Sequence, residues 1–181
     1  MYIKKQSYQN SCFPCALHMA LVNVGNLSPD YGDKLEDDFN TEMEARTNPT
    51  RDLNTNPPTD EALVCGIISS LRLPLGNGFL VGPTELSGRE QHYAQRINAA
   101  LEANENVAFV IGEDHAFAIF WDPQTRKWYR VNPSTEEIMN QCDDIRAHVE
   151  NGYIVLSEVV GATVVRNIVG GNFVMMVSRE H

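Results

Sequence analysis

Apolar positions along the chain change their period once. Up to about residue 104 they recur at helical spacing, and from Val107 onward they alternate or run together as in strands. The stretch Gln6–Leu21, QSYQNSCFPCALHMAL, begins as a polar loop and passes at its cysteines into an almost wholly apolar helix that should end near Gly25. Residues 28–59 are rich in Asp, Asn, Thr and Pro and read as a polar loop insertion, carrying at most a short solvated helix over Leu35–Ala45. Thr59 or Asp60 can cap a second helix that runs to about Leu73, with Ala62, Ile67, Ile68 and Leu71 inward and Pro74 as its stop. A third helix fits Ser87–Asn104. There Ser87 and Glu90 have capping-box spacing, and Tyr93, Ile97, Ala100 and Leu101 make one stripe. VAFVI, AFAIFW and KWYRV then read as strands, Thr135–Val149 as a helix, and YIVLSEVV and NFVMMVS as strands. Helices followed by an antiparallel meander predict a single α+β domain over 1–181, its N-terminal helices packed on a C-terminal antiparallel sheet.

Composition narrows the partners. At 181 residues the chain can bury a substantial core without disulfides. Its net charge of −10 and scattered basic residues argue against a nucleic-acid partner, which would need clustered Lys and Arg. The four cysteines, Cys12, Cys15, Cys65 and Cys142, form no spaced framework, which favours a reducing cytoplasm. The start MYIKKQSYQN lacks the apolar core of a signal peptide, and no apolar run reaches the length of a membrane span, so a soluble protein without a membrane partner is expected.

The chemistry centres on the cysteines at the helix start. A thiol there faces unpaired backbone N–H groups and the positive end of the helix dipole, and both favour the thiolate. It needs a base. His18 lies on the same helix and points away from Cys12, His92 and His148 read as surface residues of amphipathic helices, and His181 is the last residue. His115 differs, because it opens the apolar strand His115–Trp121 and would stand at the edge of a sheet. Asp122-Pro123-Gln124-Thr125 predicts a type I turn joining this strand to KWYRVNP. If Trp121 pairs with Arg126, then His115 falls opposite Asn132, Phe117 opposite Arg130 and Ile119 opposite Trp128. A slip of one residue would separate His115 and Asn132 onto opposite faces. Asp122 is roughly 23 Å away along the strand and Asp114 points to the other face, so Asn132 is left to orient the ring.

These segments resemble the papain-like cysteine peptidase superfamily. Cys12-Phe13-Pro14-Cys15-Ala16-Leu17-His18-Met19-Ala20-Leu21 is similar to its cysteine-helix signature, above all to the bacteriocin-leader peptidase branch, and DHAFAIFW followed by VNPS resembles that branch and papain-fold bacterial effectors. In these families a Gln six residues before the nucleophile supplies an oxyanion donor, a position matched here by Gln6. The resemblance implies amide-bond hydrolysis on a protein or peptide substrate by Cys12, His115, Asn132 and Gln6, with no metal or other cofactor, in a cytoplasm or in a host cytoplasm reached without a classical signal peptide. Protease, deubiquitinase and glutamine deamidase share such a site. Phe13 departs from the small residue usual after the nucleophile and could narrow the site. Gln9 also stands six residues before Cys15, which makes Cys15 the rival nucleophile; Cys12 is preferred because Pro14 then fits the first helical turn and Cys15 falls on the inward stripe with Met19.

Other chemistries fit less well. A redox Cys-x-x-Cys pair needs a strand just before it, where this chain has the polar KKQSYQNS. Zinc needs further ligands, and Cys65 and Cys142, expected in helices as small core residues, have no Cys or His neighbour at ligand spacing. The remaining class is a non-catalytic binding module that keeps the scaffold and uses the 28–59 insertion for a partner.

Overall fold

The computed structural model describes residues 1–9, 11–46 and 61–180, apart from the side chains of 32, 61 and 167–169. Helix α1, Cys12–Val24, is buried on nearly every side, which explains its unbroken apolar composition. It ends where Gly25 turns left-handed at φ 90°, with Gly25 N–H donating to Val22 O and Asn26 N–H to Leu21 O. A 3-10 turn at Pro29–Tyr31 leads into α2, Gly32–Arg46. Then follow α3 (Glu61–Ser70), β1 (Phe79–Val81), α4 (Pro83–Leu86) and α5 (Glu90–Glu102). The strands β2 (Val107–Gly112), β3 (Ala116–Asp122), β4 (Lys127–Asn132), β5 (Glu137–Cys142), β6 (Ile145–Glu150), β7 (Tyr153–Val160), β8 (Thr163–Gly171) and β9 (Phe173–Ser178) complete the chain.

The class is α+β, and the strand pairs are antiparallel. One sheet has the order β1-β9-β2-β3-β4-β5 and a second has β6-β7-β8. The first is not a plain meander, since β9 returns to lie between β1 and β2. Its faces are divided by the period of two. Ala108, Val110, Ala118, Phe120, Val131, Met175 and Val177 pack with α1, Phe39 and Met43 of α2, and Ile67 and Ile68 of α3. Phe109, Ile111, Ile119, Val174 and Met176 pack on the other side with Tyr93 and Ile97 of α5 and with Ile145, Ala147, Ile154 and Leu156 of the second sheet. A sheet covered on both faces has no polar side, which is why β2 and β9 are continuous apolar runs.

Several sequence expectations change. Residues 135–149 are two strands, not a helix: Glu136 at φ 51° closes the turn into β5, and in β6 Ile145 and Ala147 point inward while Arg146 points out, a period of two. His148 is therefore a strand residue, paired with Glu150 at 3.1 Å, and Cys142 is a half-buried strand residue. Helix α2 is not a solvated helix within a loop, because Leu35, Phe39 and Met43, four residues apart, reach the core. Residues 47–60, with the rest of the predicted loop and the caps Thr59 and Asp60, lie outside the described residues. In α3 the inward stripe is Val64, Ile67 and Ile68, while Ala62 and Cys65 are exposed, and the helix stops at Ser70 rather than Leu73. The Ser87–Asn104 helix is split: Ser87 ends α4, Gly88 turns at φ 80°, and α5 starts at Glu90 with no side-chain cap. Strands β1 and β8 had no counterpart in the sequence reading.

Candidate active site

The N-terminus of α1, the β2–β3 loop and the end of β4 meet at one corner of the six-stranded sheet. Gly112 pairs with Ala116, so only Glu113, Asp114 and His115 bridge the two strands. A Cβ on Gly112 would lie 2.0 Å from the His115 carbonyl oxygen, so glycine is what permits a turn this tight. His115 and Cys12 line one small pocket, with Phe13 and Phe173 as its apolar wall. Phe13 stands edge-on to Phe173, with ring centroids 5.2 Å apart, and tilts against Phe39 at 5.5 Å.

His115 Nε2 lies 2.7 Å from Asn132 Oδ1. The same oxygen accepts from the Ser134 backbone N–H at 3.0 Å and the Ser134 hydroxyl at 2.8 Å. A backbone N–H can only donate, so the atom it meets is the amide oxygen, and His115 must hold its proton on Nε2. Its Nδ1 is then the basic nitrogen of the neutral ring. Phe117 supports the ring edge-on at 4.9 Å.

The hairpin reaches this arrangement by a register different from the expected one. Trp121 pairs with Trp128 and Asp122 with Lys127, two residues displaced from a Trp121–Arg126 pairing. The turn accounts for the shift. Asp122 accepts from Gln124 N–H at 3.2 Å and the Thr125 hydroxyl at 3.0 Å, its carbonyl takes Arg126 N–H at 2.8 Å, and Arg126 sits at φ 58°. Continued outward, this register sets Asn132 against Phe117, so His115 reaches Asn132 diagonally. A shift of two keeps every residue on its face.

Gln6 joins the corner through its backbone, its N–H donating to Pro133 O at 2.7 Å. Its side-chain amide donates to Tyr8 O and Gln9 O, both at 2.8 Å, so both amide hydrogens are engaged within the loop. Cys15 is fully buried and its thiol meets Lys4 O at 3.5 Å. Burial, followed by the nearby Glu36 carboxylate, pushes the Cys15 thiol far above its ordinary pKa, the opposite of what a nucleophile needs. Cys12 is 3 % exposed and borders the His115 pocket. His18 is buried against Tyr2 and Tyr31, and burial lowers its pKa.

One group beneath the loop had no place in the sequence reading. Glu36 of α2 is fully buried and accepts from Ser7 N–H at 2.8 Å, from the Ser11 hydroxyl and from Lys4 Nζ. Lys4 also meets Asp33 at 2.9 Å. Burial opposes the Lys4 charge, but its bonds to Glu36 and Asp33 outweigh it and hold the pKa above the ordinary value. Ser11 precedes α1 and does not cap it with its side chain; the hydroxyl goes to Glu36 and to Tyr8 O at 3.0 Å. The sequence signal was present, since Glu36 adjoins Leu35 on the Leu35–Phe39–Met43 stripe.

Among the described residues no three His, Cys, Asp or Glu side chains gather as a metal site would require, and no helix is long and apolar enough to cross a membrane. No protein-family model matches the chain, and comparisons with curated proteins and with solved structures return no match.

Proposed function

We propose that the protein is a papain-like thiol hydrolase that cleaves an amide of a protein substrate by nucleophilic catalysis at Cys12. The observation that carries this is the 2.7 Å His115–Asn132 bond, which leaves His115 Nδ1 as base in the pocket it shares with Cys12 at a helix N-terminus.

His115 Nδ1 takes the Cys12 thiol proton, and Cys12 Sγ, now the thiolate, adds to the carbonyl carbon. The oxyanion is stabilised by the first N–H groups of α1, and by Gln6 once its amide turns from Tyr8 O and Gln9 O. As the C–N bond breaks, its electron pair goes to nitrogen, which takes the proton held on His115 Nδ1. Water then adds to the thioester, giving its proton to Nδ1, and the Cys12 thiolate leaves from the acid product. Asn132 keeps the ring turned throughout. A peptide bond, an isopeptide bond and a glutamine side chain all suit this sequence, the last releasing ammonia.

A second reading, a non-catalytic module on the same scaffold, is favoured by the near closure of Cys12, 3 % exposed, and by the engaged Gln6 amide. Alkylation by iodoacetamide, mapped residue by residue, separates the two. Mapping is essential because Cys65 is exposed. The hydrolase reading expects Cys12 to label below neutral pH, ahead of Cys65, and to slow in His115→Ala. Slow labelling that is the same in wild type and His115→Ala refutes it. Ubiquitin-based and peptide probes then identify the amide.

A further inference from the structure

The far end of the same sheet holds a second candidate site. A cavity of about 520 Å³ lies between the C-terminal end of α5, the β3–β4 hairpin and the link from β5 to β6. Trp121 and Trp128 line it, half-buried and directly opposed across the hairpin with ring centroids 5.7 Å apart. Trp121 is six residues along β3 from His115, roughly 20 Å at strand rise, so this is not the Cys12 pocket.

Carboxylates outnumber cations around this cavity. Glu105, Asp143 and Asp144 stand exposed at the rim. Lys127 neutralises Asp143, but among the described residues neither Glu105 nor Asp144 forms an ion pair. Among the described residues the one cation in the lining, Arg179, has its guanidinium beside Gly25, at the carbonyl end of α1. Indole faces attract cations through the ring quadrupole, and carboxylates at the mouth add to that attraction. A hydrophobic ligand alone would not account for the carboxylates, and an anion would be repelled by them.

We propose that this cavity is a docking site for the cationic side chain, arginine or lysine, of a protein partner, held against the indoles of Trp121 and Trp128 with Glu105 and Asp144 at its head. The site stands whether or not Cys12 is catalytic. A net charge of −10 favours the approach of such a partner.

The chain contains two tryptophans and both line this cavity, so intrinsic fluorescence and the indole N–H resonances report on it directly. The full chain is titrated with blocked peptides Ac-Gly-Arg-Gly-NH2 and Ac-Gly-Lys-Gly-NH2, with Ac-Gly-Gln-Gly-NH2 as the neutral match and tetramethylammonium as a bare cation. The proposal expects saturable shifts of both indoles with the Arg or Lys peptide, with a dissociation constant on the order of millimolar. It expects binding at least about tenfold weaker for the Gln peptide, and about tenfold weaker for the cationic peptide in Glu105→Gln/Asp144→Asn. Both rim residues are exposed, so this double variant should keep the wild-type circular dichroism, and Trp121→Phe provides a second variant. No saturable shift with either cationic peptide, equal binding of the Gln peptide, or undiminished binding in both variants overturns the proposal. Tetramethylammonium binding as tightly as the peptides overturns it also, because the cavity would then recognise cations without regard to a protein side chain.

Discussion

Replacing Glu36 by Gln tests whether the loop leading into α1 is held from below. The substitution keeps the side chain's shape and one carbonyl acceptor, but it removes the charge that faces Lys4 Nζ and turns an NH2 toward groups that donate. Removing one partner of a buried ion pair costs about 3–5 kcal/mol, because the other charge is left without its counter-ion. Glu36 is fully buried and the Lys4 side chain is 10 % exposed, so the pair belongs in that range. Asp33 remains 2.9 Å from Lys4, but it is 70 % exposed and screened, so it offsets only part of the loss and the lower end, about 3 kcal/mol, is expected. For a chain of this size that lowers Tm by roughly 6–12 °C. Urea unfolding followed by circular dichroism measures the loss, and a double-mutant cycle with Lys4→Met should return a coupling of about 2–3 kcal/mol. A loss below about 1 kcal/mol with coupling near zero would refute the reasoning, since a partner that matters cannot be removed at so small a cost.

The pH dependence of the same pair has a definite sign. Lys4 has a folded-state pKa raised above 10.5, so its contribution is fully present below 10.5 and is lost as pH rises through the folded value. Asp33 is lowered from 3.8 by hydrogen bonds from Lys4 and Ser7, so its contribution is present above 3.8 and is lost as pH falls through the folded value. The stability difference between wild type and Glu36→Gln should therefore stay level from neutral to mildly alkaline pH and shrink above 10.5 as Lys4 loses its charge.

Two further substitutions probe the corner and its support. Gly112→Ala places a Cβ 2.0 Å from the His115 carbonyl, so it should cost about 1–3 kcal/mol and shift the His115 ring resonances, while wild-type stability and unshifted resonances would show that the turn is not set by that approach. Phe39→Ala removes a fully buried ring packed on Phe13 and should cost about 3–5 kcal/mol in urea unfolding; a change under 1 kcal/mol would return α2 to the solvated helix first expected.

What could be read from the chain followed the reach of each interaction. Helix α1 was legible because its apolar run, its proline in the first turn and its terminal glycine all act within a few residues. The strands β2, β3, β4, β7 and β9 were legible because an apolar run flanked by turn residues is local too. Errors arose where local and distant effects disagree. Leu35–Ala45 is so acidic that it reads as solvated, and only the packing of Phe39 on Phe13 and the Lys4–Glu36 pair, which join segments far apart in sequence, make it a core helix. In β6, a strand between polar turns, the alternation of Ile145, Arg146 and Ala147 is short enough to be taken for one side of a helix.

The β3–β4 hairpin shows which part of a local reading matters for a site. Its predicted register was wrong by two because the Asp122 carboxylate and the left-handed Arg126 set the four-residue turn at 123–126, one residue later than 122–125, a detail the Asp-Pro-Gln-Thr pattern does not specify. Yet an even displacement leaves parity untouched, and parity decides which side chains share a face. An imidazole and a carboxamide together span more than the few ångströms by which a diagonal pair is farther apart than a direct one, so His115 still meets Asn132 at 2.7 Å. An odd displacement of half the size would have pointed them to opposite sides of the sheet. The arrangement at this corner therefore depends on the number of residues in the turn being even or odd. Inserting one residue between Pro123 and Arg126 should abolish the His115–Asn132 bond, whereas inserting two should spare it, and the His115 Nε2–H resonance distinguishes the two outcomes.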